Sequence, residues 1–161
     1  MNRAYLLIGG NLGNRKENLL RASALINEQC GQVISSSSFY ETAAWGKTDQ
    51  PSFLNQVLAI STTMTARKLM RRILKIETSM GRIREEKLGP RIIDIDILLF
   101  NNEIHDLRFL KIPHPEMQNR RFALAPLAEI DPGLIHPVFK KTIAQLLDEC
   151  PDNLDVKKIT D

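Results

Sequence analysis

Residues 91–100 read Arg-Ile-Ile-Asp-Ile-Asp-Ile-Leu-Leu-Phe, and this alternation of apolar and acidic residues decides the fold class. A period of two residues is typical of a β-strand, whose successive side chains point to opposite faces of a sheet. The strand therefore directs Asp94 and Asp96 to one face. Three apolar residues share that acidic face: Ile92, Leu98 and Phe100. The opposite face, which we expect to pack on helices, carries Ile93, Ile95, Ile97 and Leu99.

Upstream of this strand, the pattern alternates between strands and helices. Apolar and β-branched runs predict strands at 3–9, 32–42 and 53–63. A helix over 15–28 follows a glycine-rich turn, and a second helix begins after Thr65 and ends near Gly81. The resulting order, βαββαβ, predicts an α+β ferredoxin-like fold, in which an antiparallel sheet carries helices on one face. The other face of the sheet would be open for chemistry.

Shorter elements complete the chain after residue 100. We expect a turn at 101–102, a short strand near 108–112, and helical pieces at 116–129 and 142–149 that pack around the core. The sequence contains no internal repeat, low-complexity tract or linker. Residues 1–161 are therefore predicted to form a single domain, which agrees with the usual size of domains.

The composition excludes several classes of protein. The 161 residues are 43% hydrophobic and 25% charged, which argues against a disordered or fibrous protein. No apolar run approaches the roughly 18–20 residues of a membrane span, and the N-terminus lacks the pattern of a secretory signal. We therefore expect a cytoplasmic protein that binds no membrane, with Cys30 and Cys150 as free thiols. The net charge of +3 favours polyanionic partners without choosing between nucleotides and nucleic acids.

The acidic pair of the 91–100 strand is a candidate metal site. At a rise of about 3.3 Å per residue, the backbones of Asp94 and Asp96 lie roughly 6.6 Å apart, so both carboxylates can reach ions held between them. Hard cations such as Mg²⁺ prefer oxygen ligands, and metals clamped by carboxylates and phosphate oxygens recur in phosphoryl transfer. The pair therefore predicts a nucleotide and metal site. The alternative is a strand with a solvated polar face.

A basic segment leads directly into that strand. Residues 81–91 include four cationic side chains: Arg82, Arg84, Lys87 and Arg91. Guanidinium groups bind phosphate oxygens in pairs of hydrogen bonds and stabilise charge that develops during transfer. Because the segment is tethered to the acidic strand, we expect its cations to hold phosphates beside the metals. A solvated loop whose charges serve solubility is the alternative.

Two other functional classes fit parts of the sequence. The βαββαβ order and a pI near 9.0 also fit an RRM-like RNA-binding module. No stretch matches the aromatic motif of that module, however, and two aspartates on the sheet would repel phosphate without a metal. Another metal-dependent phosphotransferase or nuclease would use the same acidic pair. A P-loop kinase is excluded, because the turn at 9–16 lacks the motif G-x-x-x-x-G-K-[ST].

The acidic strand and its flanks resemble a known family. The segment GPRIIDIDILLF at 89–100 is similar to the signature of the 6-hydroxymethyl-7,8-dihydropterin pyrophosphokinases. Further similar blocks occur in family order: GGNLGNR at 9–15, FYET at 39–42, DQPSFLN at 49–55, Ile76-Glu77 with Gly81-Arg82, and Pro113-His114 with Asn119-Arg120 and Phe122. The resemblance runs from residue 4 to about residue 135 and implies the same ferredoxin-like fold.

The resemblance also implies a reaction. Members of the family transfer the terminal pyrophosphoryl group of ATP to the hydroxymethyl group of the reduced pterin, which gives AMP and the pterin diphosphate in folate biosynthesis. By position, Asp94 and Asp96 would hold two Mg²⁺ ions, while Arg82 and Arg91 would stabilise the transferring group. Five other residues match positions at the ATP site: Glu77, Arg84, Ile97, His114 and Arg120. The implied partners are two small molecules and no nucleic acid, on a monomer.

The pterin site is implied by six matching positions: Thr42, Ala43, Trp45, Phe53, Asn55 and Phe122. The ring would stack between Phe53 and Phe122, and Asn55 would bond its polar edge. The residues support this independently, because Phe53 and Asn55 are two apart and share one strand face. That spacing sets an apolar wall beside an amide that both donates and accepts hydrogen bonds. Trp45 would fold over the pterin as a lid, or would anchor its own loop on the sheet.

Overall fold

The computed structural model describes residues 1–43, 50–82 and 90–159. Its strands are β1 (Asn2–Gly10), β2 (Gln32–Ser36), β3 (Phe39–Thr42), β4 (Phe53–Thr62), β5 (Asp94–Phe100), β6 (His105–Leu107), β7 (Leu110–Ile112) and β8 (Val156–Ile159). The main sheet has the order β5-β1-β4-β3-β8, and β2 pairs with the same edge of β4 as β3 does. Every pair is antiparallel. This arrangement confirms the predicted ferredoxin-like fold class.

Two helices cover one face of the sheet, as the sequence predicts. Helix α1 (Arg15–Gln29) begins at Asn14, whose side chain accepts a hydrogen bond from the backbone N–H of Glu17. Helix α2 (Ala66–Ser79) begins in the same way at Thr65. The apolar faces of both helices are buried against the sheet through Leu19, Ala22, Ile26, Leu69, Ile73 and Ile76. This packing forms the larger of two hydrophobic clusters.

The predicted strand at 32–42 is in fact two strands, because Ser37 interrupts the ladder. Its hydroxyl accepts a hydrogen bond from the N–H of Val57 at 2.9 Å, and its carbonyl accepts one from the Gln56 side chain at 2.8 Å. Side-chain bonds of serine to the backbone compete with sheet pairing. The flanking pairs are Ser36 with Leu58 and Tyr40 with Asn55. Between them, the chain that runs from β2 into β3 contains one residue more than β4 does. The interruption therefore acts as a bulge.

The predicted strand at 91–100 begins later than expected, at Asp94, and its alternation breaks near its end. Tyr5 of β1 pairs with Leu99, whereas its neighbour Leu6 pairs with Ile97, so Leu98 is the extra residue of a bulge. Two assignments of faces were consequently wrong. Leu99 packs in the second hydrophobic cluster on the acidic side, and Phe100 packs in the helix-side cluster. Ile92, which precedes the strand, also packs on the helix side rather than on the acidic face.

The second face of the sheet is covered in part, and the expectation of an open face was therefore wrong over this area. Helices α3 (Arg121–Ile130) and α4 (Ile143–Asp148) pack on it. They form the second cluster with residues of β1, β4 and β5: Tyr5, Leu7, Val57, Ala59, Leu98 and Leu99. The uncovered part lies near the end of β1. It carries the acidic pair.

The chain after β5 is more regular than the sequence suggests. The predicted strand near 108–112 is the second half of a hairpin formed by β6 and β7. The helical piece at 116–129 divides into a 3₁₀ turn (Met117–Asn119) and α3. Strand β8, which the sequence did not predict, pairs with β3 and extends the sheet. No helix in the described ranges is long and apolar enough to cross a membrane.

Candidate active site

One cavity opens on the uncovered part of the sheet, where β1 ends and β5 begins. Its walls come from four neighbouring strands and from the segments beside them: Leu7, Gly9, Thr42, Ala43, Phe53, Asn55, Arg91, Asp94, Asp96, Arg120 and Phe122. Nine of these residues were predicted as site residues from the sequence. Leu7 and Gly9 were not.

The antiparallel register brings the predicted metal and pterin residues together. Gly9 of β1 pairs with Asp94 on one side and with Asn55 on the other. With strands about 4.8 Å apart, the backbones of Asp94 and Asn55 are separated by roughly 9.6 Å across Gly9. Asp96 pairs with Leu7, two residues along β1. A substrate of modest size can therefore touch both groups of residues.

An ion-pair network surrounds Asp94. Nη1 of Arg82 donates to Oδ1 of Asp94 at 2.6 Å and to Oε2 of Glu77 at 2.8 Å, while Nη1 of Arg91 donates to Oδ2 of Asp94 at 3.2 Å. Glu77 Oε2 also accepts from the backbone N–H of Ile95 at 2.8 Å. The Glu77 side chain is buried, with 3% of its surface exposed. It therefore braces both Arg82 and the beginning of β5.

The environment of Asp96 suits a bound cation. Burial raises the pKa of Asp96 to about 8, and the carboxylates of Asp94 and Glu77 act in the same direction, against Arg120 and Arg82. A negative charge held in such surroundings is costly unless a positive ion compensates it. Asp94 and Asp96 both face the cavity and supply oxygen donors, which hard divalent cations such as Mg²⁺ prefer. The residues present therefore fit a metal-binding role.

His114 and Arg120 belong to a segment that lies beside β5. The backbone N–H of His114 donates to the carbonyl of Leu98 at 3.0 Å. Burial and the charge of Arg120 together lower the pKa of His114 to about 4, so its ring is neutral at neutral pH. Because Nδ1 accepts from the N–H of Glu116 at 3.1 Å, the ring proton lies on Nε2. His114 can therefore donate one hydrogen bond to a ligand.

The other side of the cavity is aromatic and contains unpartnered polar atoms. Phe53 and Phe122 line it, and the guanidinium of Arg91 lies 5.1 Å from the centre of the Phe53 ring. Oδ1 of Asn55 and Oγ1 of Thr42 are buried there and have no hydrogen-bond partner among the residues that the structure describes. Buried polar atoms are normally paired, so both atoms are suited to a polar ligand. Planar, hydrogen-bonding molecules match such a pocket.

Six predicted site residues are not among the described residues that line the cavity. Two of them lie beside its wall: Arg82 donates to Asp94, and His114 donates through its backbone N–H to Leu98. Glu77 and Ile97 lie behind the cavity wall, and the Ile97 side chain packs in the helix-side cluster. Trp45 and Arg84 lie outside the described residues. Of the residues that sequence reasoning missed, Gly9 had a detectable signal in the glycine pair that ends β1. Leu7 had none, because it is one of several apolar residues in the same strand.

Comparisons with known proteins agree with this geometry. The family model described as 7,8-dihydro-6-hydroxymethylpterin-pyrophosphokinase matches residues 5–132. The chain is 39% identical over 149 residues to the 2-amino-4-hydroxy-6-hydroxymethyldihydropteridine pyrophosphokinase of Aquifex aeolicus, covering 92% of each protein. It is 43% identical over 130 residues to the protein of the same name from Bacillus subtilis, covering 80% of this chain and 78% of that one.

Longer proteins also contain a region similar to this chain. The folic acid synthesis protein fol1 of Schizosaccharomyces pombe is 39% identical over 149 residues, which are 92% of this chain and 20% of that protein. The crystal structure of wild-type HPPK-DHPS from Plasmodium falciparum matches with a TM-score of 0.73 at 19% identity. That match covers 92% of this chain and 41% of the other. At this identity the structural match supports the fold alone.

Proposed function

The chain belongs to the 7,8-dihydro-6-hydroxymethylpterin pyrophosphokinase family, and on that premise we propose how its cavity is divided between two substrates. The enzyme transfers pyrophosphate from ATP to the hydroxymethyl group of 6-hydroxymethyl-7,8-dihydropterin in folate biosynthesis. The acidic half of the cavity binds the triphosphate, and the aromatic half binds the pterin. The observation that carries this division is that one continuous cavity joins Asp94 and Asp96 to Phe53 and Phe122.

In the pterin half, the flat ring lies between Phe53 and Phe122. The unpartnered Oδ1 of Asn55 and Oγ1 of Thr42 support this assignment, because a pterin carries donors along its edge. A molecule that lacks the matching hydrogen-bonding groups would leave these buried atoms unpaired. Such a site therefore discriminates strongly against it. Thr42 and Ala43 lie at the end of β3, next to the first residue of β4. Trp45 remains a further pterin-binding candidate from the sequence.

In the triphosphate half, Asp94 and Asp96 bind Mg²⁺, with two ions as in the sequence-based prediction. A bound Mg²⁺ neutralises phosphate charge and favours attack at phosphorus. Arg82 and Arg91 both contact Asp94, and their guanidinium groups stabilise the charge on the pyrophosphoryl group as it transfers. Arg120 and the Nε2 proton of His114 contact ATP, and Arg84 remains a further ATP-binding candidate from the sequence. Ile97 contributes to the ATP site through its backbone.

The reaction is an in-line displacement. The hydroxymethyl oxygen of the pterin forms a bond with the β-phosphorus of ATP and releases its proton to solvent. The bond between that phosphorus and the α,β-bridging oxygen breaks, and AMP leaves. No described side chain is placed as an evident general base, so catalysis rests on orientation and on electrostatic stabilisation. Phe53 and Asn55 fix the pterin, while Arg91 links the two halves because it contacts both Asp94 and Phe53.

Two further expectations belong to this proposal. We propose, as the sequence predicts, that the enzyme is cytoplasmic and acts as a monomer. An RRM-like RNA-binding function is not supported, because α3 and α4 occupy much of the sheet face that such modules use for RNA.

Product analysis tests the proposed function. The protein is incubated with ATP, Mg²⁺ and 6-hydroxymethyl-7,8-dihydropterin, and the nucleotide products are separated and identified. We expect AMP in amounts equal to the pterin diphosphate, and no AMP when the pterin is omitted. Formation of ADP would indicate transfer of a single phosphoryl group and would contradict the proposal.

A further inference from the structure

Asn11 is a buried polar residue to which the proposed mechanism assigns no role. It is the first residue after β1, which is the strand between β4 and β5, and only 3% of its surface is exposed. Because both neighbours run antiparallel to β1, Asn11 lies at the end of the sheet where the chain enters β4 and β5. Its hydrogen bonds connect these two segments.

On the β5 side, Asn11 forms a pair of hydrogen bonds with Arg91. The backbone N–H of Asn11 donates to the Arg91 carbonyl at 2.9 Å, and the backbone N–H of Arg91 donates to Oδ1 of Asn11 at 2.9 Å. Gly10 allows this close approach, since a Cβ at that position would lie 2.2 Å from the carbonyl oxygen of Ile92. The backbone of Arg91 is therefore fixed against the end of β1.

On the β4 side, the same side chain donates twice. Nδ2 of Asn11 donates to Oε1 of Gln50 at 3.1 Å and to the carbonyl of Pro51 at 3.0 Å. Both N–H groups of the amide are thus used. Pro51 lies two residues before Phe53, the aromatic wall of the pterin half. One side-chain amide therefore holds the segment before Phe53 and the backbone of Arg91.

We propose that Asn11 is a positioning residue, which sets the distance between the triphosphate half and the pterin half of the cavity. The inference rests on the proposed function, because it assigns consequences to Arg91 and Phe53. Its physical basis is that group transfer needs the two reactants in close and fixed alignment. Asn11 is not among the residues that line the cavity, so it acts through the two segments that it bridges.

Two substitutions separate the two sides of the bridge. Asn11→Ala removes every side-chain hydrogen bond, and we expect kcat to fall by about 10- to 100-fold, because a displacement of about 1 Å can cost up to about 100-fold. Asn11→Asp keeps an oxygen for the N–H of Arg91 but places a second oxygen against Gln50 and Pro51. We therefore expect the KM for the pterin to rise by about 10-fold in Asn11→Asp, with a smaller loss of kcat than in Asn11→Ala.

Asn14→Ala is the matched control. Asn14 lies in the same turn, and its side chain caps α1 through the N–H of Glu17 without reaching Arg91 or Pro51. This variant loses stability but is expected to keep kcat and both KM values close to those of the wild type. All variants are assayed well below their melting temperatures. If Asn11→Ala does not fold, Asn11→Asp alone tests the inference. A pterin KM that rises more than kcat falls in this variant would support it, and kinetic constants equal to those of Asn14→Ala would contradict it.

A double mutant tests whether Asn11 acts through Arg91. We expect Asn11→Ala combined with Arg91→Ala to have a kcat within about 3-fold of Arg91→Ala alone, because residues that act as a unit are not additive. Independent, multiplicative losses would overturn the inference, as would Asn11 variants with the kinetic constants of Asn14→Ala. The single variant Arg91→Ala tests the proposed function separately. If it keeps the wild-type kcat, the role proposed for Arg91 fails. If it loses kcat but the Asn11 variants do not, only the bridging role of Asn11 fails.

Discussion

Gly9 and Asn55 face each other across the β1–β4 ladder, and a Cβ on Gly9 would lie 2.1 Å from Nδ2 of Asn55. The amide of Asn55 thus occupies the space that any other residue at position 9 would fill. The carbonyl of Leu54 would also lie only 3.2 Å from that Cβ. The glycine is therefore part of the proposed pterin site although it offers no side chain.

We predict that Gly9→Ala displaces Asn55 and weakens pterin binding. Overpacking of this kind costs about 1–3 kcal/mol, so we expect the pterin KM to rise by about 10-fold while the KM for ATP changes little. Steady-state kinetics with each substrate varied in turn measures both values. Gly133→Ala is the control, because a Cβ at Gly133 meets nothing within 4 Å. Equal KM values in the two variants would show that Gly9 is not needed to seat Asn55.

Glu77 matches a family position at the ATP site, but its carboxylate contacts other groups of the protein. Its carboxylate accepts from Arg82 and from the backbone of Ile95, and it is buried. We predict that Glu77→Ala lowers the free energy of unfolding by about 1–3 kcal/mol, because it leaves a buried N–H unpaired and removes one partner of Arg82. Urea denaturation measures this loss. The exposed Glu28→Ala is the control, and a similar effect of both substitutions would refute the bracing role of Glu77.

The pair formed by Tyr40 and Glu129 predicts a pH dependence of stability. The Tyr40 hydroxyl donates to Glu129 at 2.5 Å, and Ser38 donates to the same carboxylate. Burial acts to raise the pKa of Glu129, but these hydrogen bonds outweigh it and hold the pKa below the ordinary value of 4.5. A group with a lowered folded-state pKa stabilises the fold above its unfolded value, and this contribution is lost as the pH falls through the folded pKa.

Unfolding measured at several pH values tests this dependence. We expect Glu129→Gln to be less stable than the wild type at pH 7 and the difference to shrink below about pH 4.5 as the wild-type carboxylate becomes protonated. Tyr40→Phe should likewise reduce the loss of stability on acidification. A difference between wild type and Glu129→Gln that stays constant from pH 7 to pH 3 would mean that the hydrogen bonds do not favour the ionised form.

The fold class and the acidic pair follow from local patterns in the sequence, whereas several other cavity residues were predicted only from the resemblance to a family. Asp94 and Asp96 share a strand face because side chains alternate, and that prediction needed no tertiary information. The family predicted from the motifs is confirmed by the match over residues 5–132. Phe53 and Asn55 were placed on one face by the same alternation, and both line the cavity.

The parts that were missed depend on contacts between distant residues. The bulge at Leu98 appears only in the pairing of β5 with β1, so the exchange of Leu99 and Phe100 between faces could not be read from the strand alone. Strand β8 is short and charged, and it forms because β3 offers it an edge. Asn11 was seen only as part of a glycine-rich motif, since its partners lie 39, 40 and 80 residues away. Such bridges leave no local signal.

The most direct measurement of the central claim is equilibrium binding of α,β-methylene ATP, whose bridging carbon replaces the oxygen of the bond that breaks. The wild type, Asp96→Asn and the exposed control Asp106→Asn are each titrated with and without Mg²⁺. We expect Mg²⁺ to tighten binding by at least about 10-fold in the wild type and in Asp106→Asn. In Asp96→Asn we expect Mg²⁺ to have little effect, because the site loses a carboxylate ligand and binds the ion more weakly. An undiminished Mg²⁺ effect in Asp96→Asn would contradict the assignment of the acidic pair as the metal site.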